Sequence, residues 1–280
     1  MDIRIYRFGR NSCHHDSRGR LWTDSRYFLQ AADQLEETGI KLFKDRLPET
    51  PSIAEWLGNV LHKGEKVGID GWVNATDETE SLRASLVSQG LELVSVEDPF
   101  ETLWEDRPSL PLNVPFILPE TYAGVSCSDK LTQIRENILH NQADGILISA
   151  LDEIAWTLNM RGNDVHCNPV FISYLLITRS DATLYILPEK LTPEISCYLQ
   201  QNGVRTKNYT EIENDLLHYS GKCIQLSPET NYTLYCAAAS SAHVDILPSP
   251  VRLLKAIKNP TEIAGFHQAM KRDGVAWCAS

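Results

Sequence analysis

Between Ala150 and Tyr174 the chain reads ALDEIAWTLNMRGNDVHCNPVFISY, a dense run of residues whose types could do chemistry. Asp152-Glu153 supplies two carboxylates, the groups used in general acid and base work and in glycoside cleavage. Arg161 supplies a rigid five-donor fork that fits carboxylates and phosphates. His166-Cys167 contains the parts of a thiol–imidazole pair. Spacing argues against the sharper readings. Adjacent helical residues point about 100° apart, so Asp152 and Glu153 do not face each other across a bond. Their plainer reading is favourable charge at a helix N-terminus. Neighbours in an extended segment point to opposite faces, so His166 and Cys167 read as structural. Arg161 precedes Gly162, where the backbone can turn sharply. It either forms an internal ion pair, with Asp164 as the nearby acid, or faces an anion. Arg26, beside Trp22, Asp24 and Tyr27, has pairing with Asp24 as its plain reading.

The wider search finds no HExxH, GxSxG, GxGxxG or P-loop, and no His, Asp and Glu cluster with metal-ligand spacing. No catalytic residue and no metal ligand is therefore assigned within this sequence.

Helical and strand periods alternate along the chain, which predicts an α/β fold. Leu21 to Phe28 begins strand-like and runs into a helical pattern, with Leu29, Ala32 and Leu35 on one face. Ile40–Phe43, Lys66–Asp70 and Leu91–Val94 read as strands. Ser52–Leu61 reads as a helix, with Ser52 as N-cap and Glu55 completing a capping box. Asp77–Gln89 is a helix that Gly90 ends. Pro108, Pro111, Pro115 and Pro119 then interrupt both periods, which places a linker and a domain boundary at 108–124. Beyond it, Ser128–Asn141 is helical and Gly145–Ser149 is a strand. Val170–Thr178 and Thr183–Leu187 form a hairpin around Ser180-Asp181. Thr192-Pro193 starts a helix, and Val204–Thr206, Cys223–Leu226 and Val244–Leu247 read as strands. Asn259-Pro260-Thr261 opens a last helix with Ile263, Phe266 and Met270 on one face.

Composition narrows the function classes. The chain has 280 residues, 42% hydrophobic and 22% charged, with a net charge of −11. An acidic chain repels phosphate backbones, so neither nucleic acid nor an anionic membrane is expected as a partner. No apolar run approaches the ~20 residues that span a bilayer, and no secretion signal is visible. Single cysteines at 13, 127, 167, 197, 223, 236 and 278 read as reduced, mostly structural thiols in a cytoplasmic protein. The sequons at Asn74, Asn208 and Asn231 read as chance matches.

The stretch from Ala150 to Tyr174 resembles the second domain of the three-domain Xaa-Pro aminopeptidases, whose pattern is ALDEIAW, then an Arg-Gly turn followed by Asp, then NPVF and SY. Leu21 to Ala32 (LWTDSRYFLQAA) is similar to the family's WTDGRYFLQA, with Ser25 in place of Gly. Leu103 to Pro108 is similar to its WTDRP, with Glu105 in place of Thr. Tyr122 to Lys130 resembles the start of the second domain, and Val251-Arg252 through Glu262 the crossing into the catalytic domain.

The resemblance implies two creatinase N-terminal-type domains, the first incomplete (19–107) and the second at 125–257. Residues 258–280 would begin a catalytic pita-bread domain otherwise missing from the chain. In the family that domain holds two divalent metals, commonly manganese, and a metal-bridging hydroxide attacks the bond before a penultimate proline. Peptides of that kind and a homodimer are the implied partners, and this chain alone is expected to be inactive. A non-catalytic binding or oligomerisation module of the same superfamily is the alternative. The Arg of the WTDxR segment contacts substrate in the family, which makes Arg26 the first substrate-binding candidate. Arg161, at the Arg-Gly turn, is the second, without a direct contact assigned. Residues 1–18 and Trp277 to Ser280 depart from the family text. A coding stretch for Ala-Met-Val-Arg-Phe that lost one base would read Ala-Trp-Cys-Ala-Ser, so both ends are expected to be out of frame.

Overall fold

The computed structural model describes residues 10–15, 18–98 and 100–279. They fall into two compact units, one made of the described residues up to Gly68 with Glu80–Val94, the other of Ile69–Thr79 with the described residues from Ser95 onward. Among the described residues no helix is long and apolar enough to cross a membrane.

In the smaller unit, strands β1 (Arg10–His15) and β2 (Arg18–Thr23) pair antiparallel, and the chain returns through α1 (Phe28–Leu35) to β3 (Lys41–Lys44), parallel to β2. Strand pairing thus reaches back to Arg10, into the segment where the sequence shows no periodicity. Leu21, Ala31 and Leu35 are buried together, with Ile40 and Leu42 against them. The Trp22 ring meets Phe43 at 4.7 Å and Trp56 at 5.8 Å, and its N–H donates to the Pro51 carbonyl at 2.8 Å, so the buried indole keeps a polar partner. Helix α2 (Ile53–Val60) starts with the predicted Ser52–Glu55 capping box. Strand β4 (Lys66–Asp70), helix α3 (Thr76–Ser88) and strand β5 (Glu92–Val96) follow, with β4 and β5 paired. Gly90, at φ +80°, turns the chain between α3 and β5.

The larger unit runs through β6 (Phe116–Ile117), α4 (Glu120–Ala123), α5 (Cys127–His140), β7 (Gly145–Ile148), α6 (Leu151–Thr157) and β8 (Met160–Arg161). It continues with β9 (Tyr174–Thr178), β10 (Ala182–Ile186), α7 (Pro193–Gln201), β11 (Val204–Asn208) and α8 (Ile212–Leu217). Strand β12 (Cys223–Leu226), helix α9 (Tyr232–Ser241), strand β13 (His243–Ile246), α10 (Pro250–Ala256) and α11 (Pro260–Ala279) complete it. The main sheet has the order β11-β10-β9-β7-β12-β13. Only β9 runs against its neighbours. Both faces are covered, which explains why β7 is a continuous apolar run. Ile146, Ile148, Leu175, Ile177, Leu184 and Ile186 point to the face packed by α5, α6 and α7. Leu147, Leu176, Tyr185, Ile224 and Leu226 point to the face packed by α8 and α9. This is the expected α/β class.

Three details go beyond the sequence reading. Residues 69–79 are stitched to the larger unit by backbone bonds. Thr76 donates N–H and hydroxyl to Thr230 O at 2.9 and 2.7 Å, Tyr232 N–H reaches Asn74 O and Thr233 N–H reaches Gly71 O. The end of the proline-rich stretch is not free either, since β6 pairs with β8 and Leu118 N–H donates to Asn159 O. Thirdly, most described cysteines are not core thiols. Cys127 is buried and Cys223 half-buried, whereas Cys167, Cys197, Cys236 and Cys278 are exposed. Of the departures from the family text at 1–18 and Trp277 to Ser280, residues 1–9, 16, 17 and 280 lie outside the described residues, as does the side chain of Cys13. Asn231 has a local role independent of any sequon: its Oδ1 accepts from Leu234 N–H and caps α9.

Candidate functional site

Strands β7, β12 and β13 run parallel and end at Ile148, Leu226 and Ile246. The residues just past those ends, Ser149-Ala150, Ser227-Pro228 and Pro248-Ser249, line a cleft of about 640 Å³. Open α/β sheets place ligands outside the carboxyl ends of parallel strands, where chain reversals leave a crevice between loops. Helix α6 begins there and carries the two acids singled out in the sequence. Asp152 is half-exposed and forms an ion pair with Lys255 of α10. Glu153 is 7% exposed, and its Oε2 has no hydrogen-bond partner among the described residues. Burial pushes the Glu153 carboxyl above the usual range, against the pull of the Ser249 hydroxyl and Lys255; Asp152 and Glu229 push it up further. On the opposite wall the Tyr174 hydroxyl accepts from Asn231 Nδ2 at 3.0 Å. At the rim Arg252 stands 3.9 Å from Glu229, with both side chains mostly exposed.

Arg26 and Arg161 lie in different units. Arg26 donates from Nε and an Nη to the two oxygens of Asp24, at 2.9 and 2.8 Å, and its backbone N–H adds a third bond at 3.0 Å. This fork-to-fork pairing holds the Asp24 carboxyl well down, at about 2. The Arg26 side chain nevertheless remains 70% exposed.

Arg161 does not pair with Asp164. Its guanidinium donates to the carbonyls of Ala155 and Met160 at 2.7 and 2.9 Å, so it satisfies the C-terminal turn of α6. Burial lowers its pKa, and Glu262 pulls the other way. Gly162 explains the divergence: a Cβ there would lie 2.8 Å from Val170 O. The chain passes that close and carries Asp164 onward, to accept from Ile172 N–H at 2.7 Å and to pair with Lys190. Both side chains of that ion pair are 0% exposed. His166 and Cys167, both exposed, form the tip of a tight turn closed by the bridge between Val165 and Asn168, with Cys167 at φ +59°.

Sequence reasoning passed over Lys130. Its ammonium lies 4.0 Å from the Trp156 ring centre and donates to Trp156 O at 2.8 Å and Asn159 Oδ1 at 2.6 Å. Burial depresses it to about 8. Trp156 Nε1 donates in turn to Glu262, which caps α11 by accepting from Asn259 N–H at 3.0 Å. A signal existed: Lys130 interrupts the apolar stripe Cys127, Leu131, Ile134 and Ile138 on α5. Lys190 had no comparable signal. Among the described residues no group of three or more His, Cys, Asp or Glu is placed to hold a metal ion.

Two sequence models, each for a creatinase/prolidase N-terminal domain, match residues 11–103 and 106–262. A probable Xaa-Pro aminopeptidase P of Sordaria macrospora is 36% identical over 271 residues, covering 91% of this chain and 44% of that protein. Xaa-Pro aminopeptidase 1 of Dictyostelium discoideum is 36% identical over 268 residues, covering 91% and 42%. Among solved structures, the X-prolyl aminopeptidase of Caenorhabditis elegans, described as a cytosolic enzyme with a di-nuclear active site, matches with a TM-score of 0.85. Its identity is 28%, and the match covers 91% of this chain and 43% of that one. The chain spans less than half the length of these relatives. With two matching domains in succession and Xaa-Pro aminopeptidases as its homologues, the chain belongs to the creatinase/prolidase N-terminal domain family.

Proposed function

We propose that these 280 residues are the supporting, non-catalytic region of a metal-dependent Xaa-Pro aminopeptidase. The observation that carries this reading is a mismatch. The C. elegans relative is described with a di-nuclear active site, whereas the described residues of this chain offer no three-donor cluster. Two divalent metals, manganese among the candidates, do not fit the donors present, so the metal centre belongs to sequence outside these residues. The parent reaction is release of the residue before a penultimate proline, in a cytosolic homodimer. Within it the chain's own part is positional. Glu262 fastens the start of α11 to Trp156, and Lys130 holds Trp156 in place. Arg26, outward from its Asp24 pair, is the residue that would reach substrate, whereas Arg161 acts through the backbone of α6. Incubation of the pure chain with Mn²⁺ and an Arg-Pro-Pro peptide is expected to release no arginine; turnover would overturn the reading.

A binding or oligomerisation module of the same superfamily is the second reading. It is favoured by α11, where Ile263, Phe266 and Met270 are 46%, 57% and 65% exposed on one face. Sedimentation of the chain decides it, a dimer without turnover favouring the module.

A further inference from the structure

Helix α11 is joined to the rest of the larger unit at its first turn, and every residue from 263 to 279 is exposed. Asn259 donates from Nδ2 to Ala123 O at 2.8 Å, and its Oδ1 accepts from Glu262 N–H at 2.9 Å. Glu262 uses both carboxylate oxygens: one accepts from Asn259 N–H at 3.0 Å, the other from Trp156 Nε1 at 3.2 Å. Gly124, at φ +73°, shapes the seat, since a Cβ there would lie 2.4 Å from Asn259 Oδ1 and 2.8 Å from Thr261 Cβ. On the other side of the indole stands Lys130, 1% exposed, with its ammonium over the ring. Its bonds to Trp156 O and Asn159 Oδ1 need N–H groups but no charge, and a neutral amine can make both. What the charge adds is attraction to the ring face and to Glu262. Arg161 of β8 opposes that charge and Cys127 of α5 favours it. Tyr198 of α7 reaches Cys127 and the Leu158 carbonyl, and Glu120 of α4 bears on Tyr198.

We infer that the proton on Lys130 is a switch for α11: it holds the first turn of the helix against Trp156, and its loss lets the helix swing about residues 257–259. The reason is reciprocity. The Glu262 carboxylate favours the charged form of Lys130, so that charge must favour the seated carboxylate by the same factor. Lifting α11 takes Glu262 away but leaves Lys130 caged by Trp156 and Asn159, neither of which belongs to α11. Both states are folded, so this equilibrium is separate from global unfolding. Burial brings Lys130 down to about 8, which puts the exchange near neutrality. Cys127, pushed up to about 12 by burial, and Tyr198, also pushed up, keep their protons through that range. The switch stands whether or not the peptidase reading holds. Within that reading, it governs the direction in which the sequence following α11 is carried.

The test is NMR of the ¹⁵N-labelled 280-residue chain between about pH 6.5 and 9.5, a range that brackets the Lys130 exchange. Two signals are followed: the Trp156 indole N–H, assigned by its loss in Trp156→Phe, and ¹⁵N relaxation of the α11 amides, which shows whether the helix tumbles with the body. The ratio of seated to lifted helix is expected to fall about fivefold as pH rises through the exchange. Glu262→Gln, at a half-buried position, keeps an oxygen for the Trp156 N–H and removes the charge. In it the pH dependence of α11 tumbling should vanish, and the midpoint of the Lys130 ¹³Cε titration should move to lower pH. Lys130→Met should leave α11 lifted at every pH; should that variant not fold, Glu262→Gln decides alone. Tumbling of α11 that ignores pH in the wild-type chain, or an unchanged Lys130 midpoint in Glu262→Gln, would overturn the switch.

Discussion

Two ion pairs in this molecule use the same chemistry and stand in opposite surroundings. Asp24 and Arg26 make a two-point pair with good geometry, but the arginine is mostly in water. Asp164 and Lys190 make a pair with both side chains at 0% exposure. Water screens the first pair and solvates each partner if the other is removed, so its loss is small. Nothing solvates the survivor of the second, so breaking it strands a buried charge. An ion pair's importance to folding therefore follows its burial rather than its geometry. The exposed pair is also the one free to serve a ligand.

The largest expected effect comes from breaking the buried pair. Asp164→Asn or Lys190→Met should each cost about 3–5 kcal/mol in urea unfolding. An Asp164→Leu/Lys190→Met double variant should recover most of it, and a double variant as unstable as the singles would break the comparison. Next is Lys130→Met, which leaves Trp156 O and Asn159 Oδ1 without a donor and should cost about 1–3 kcal/mol. That cost should depend on pH. Lys130 falls from 10.5 to about 8 in the folded chain, so between those values the unfolded chain binds a proton that the folded chain does not. Its contribution to stability therefore rises with pH from about 8 to 10.5, and the wild-type advantage should widen across that range.

Glu153→Gln should act in the opposite direction. Burial raises the folded pKa of Glu153; its contribution is fully present below the unfolded value and lost as pH climbs through the raised one. At neutral pH the amide should be more stable by about 1 kcal/mol, read as a higher urea midpoint. A lower midpoint would mean that the hydrogen bond from the Ser249 hydroxyl outweighs the cost of burial. The smallest effect belongs to Arg26→Ala, for which the melting temperature should not move at neutral pH. A clear drop would show the exposed pair to be structural and would weaken Arg26 as a substrate contact. Acid alone should matter to this pair, since Asp24, lowered from 3.8 to about 2, loses its contribution as pH falls through that window.

Much of the fold was readable from local signals. The Ser52–Glu55 box, the Thr192-Pro193 start of α7 and the hairpin between β9 and β10 all rest on residues within a few positions of each other. Helices α8 and α9 escaped because their short or alanine-rich text carries little amphipathic contrast. The interlock of residues 69–79 escaped because it is made of backbone bonds to Thr230 and its neighbours, which no side-chain pattern records. At the site, the block from Ala150 to Tyr174 drew attention for its acids, and the structure splits them: Asp152 goes to the rim with Lys255, and Glu153 goes inside.

The sequence alone determined the α/β class, most helix starts and the family, because period, capping chemistry and motif text are local properties. Only tertiary structure decided that Asp164 meets Lys190 rather than Arg161, that Lys130 is caged against Trp156, and that Glu153 is buried with one carboxylate oxygen unpaired. The reason is electrostatic. The energy of a charge depends on the solvent and partners around it, and those are set by residues far away in the chain: 26 positions separate Asp164 from Lys190 and Lys130 from Trp156.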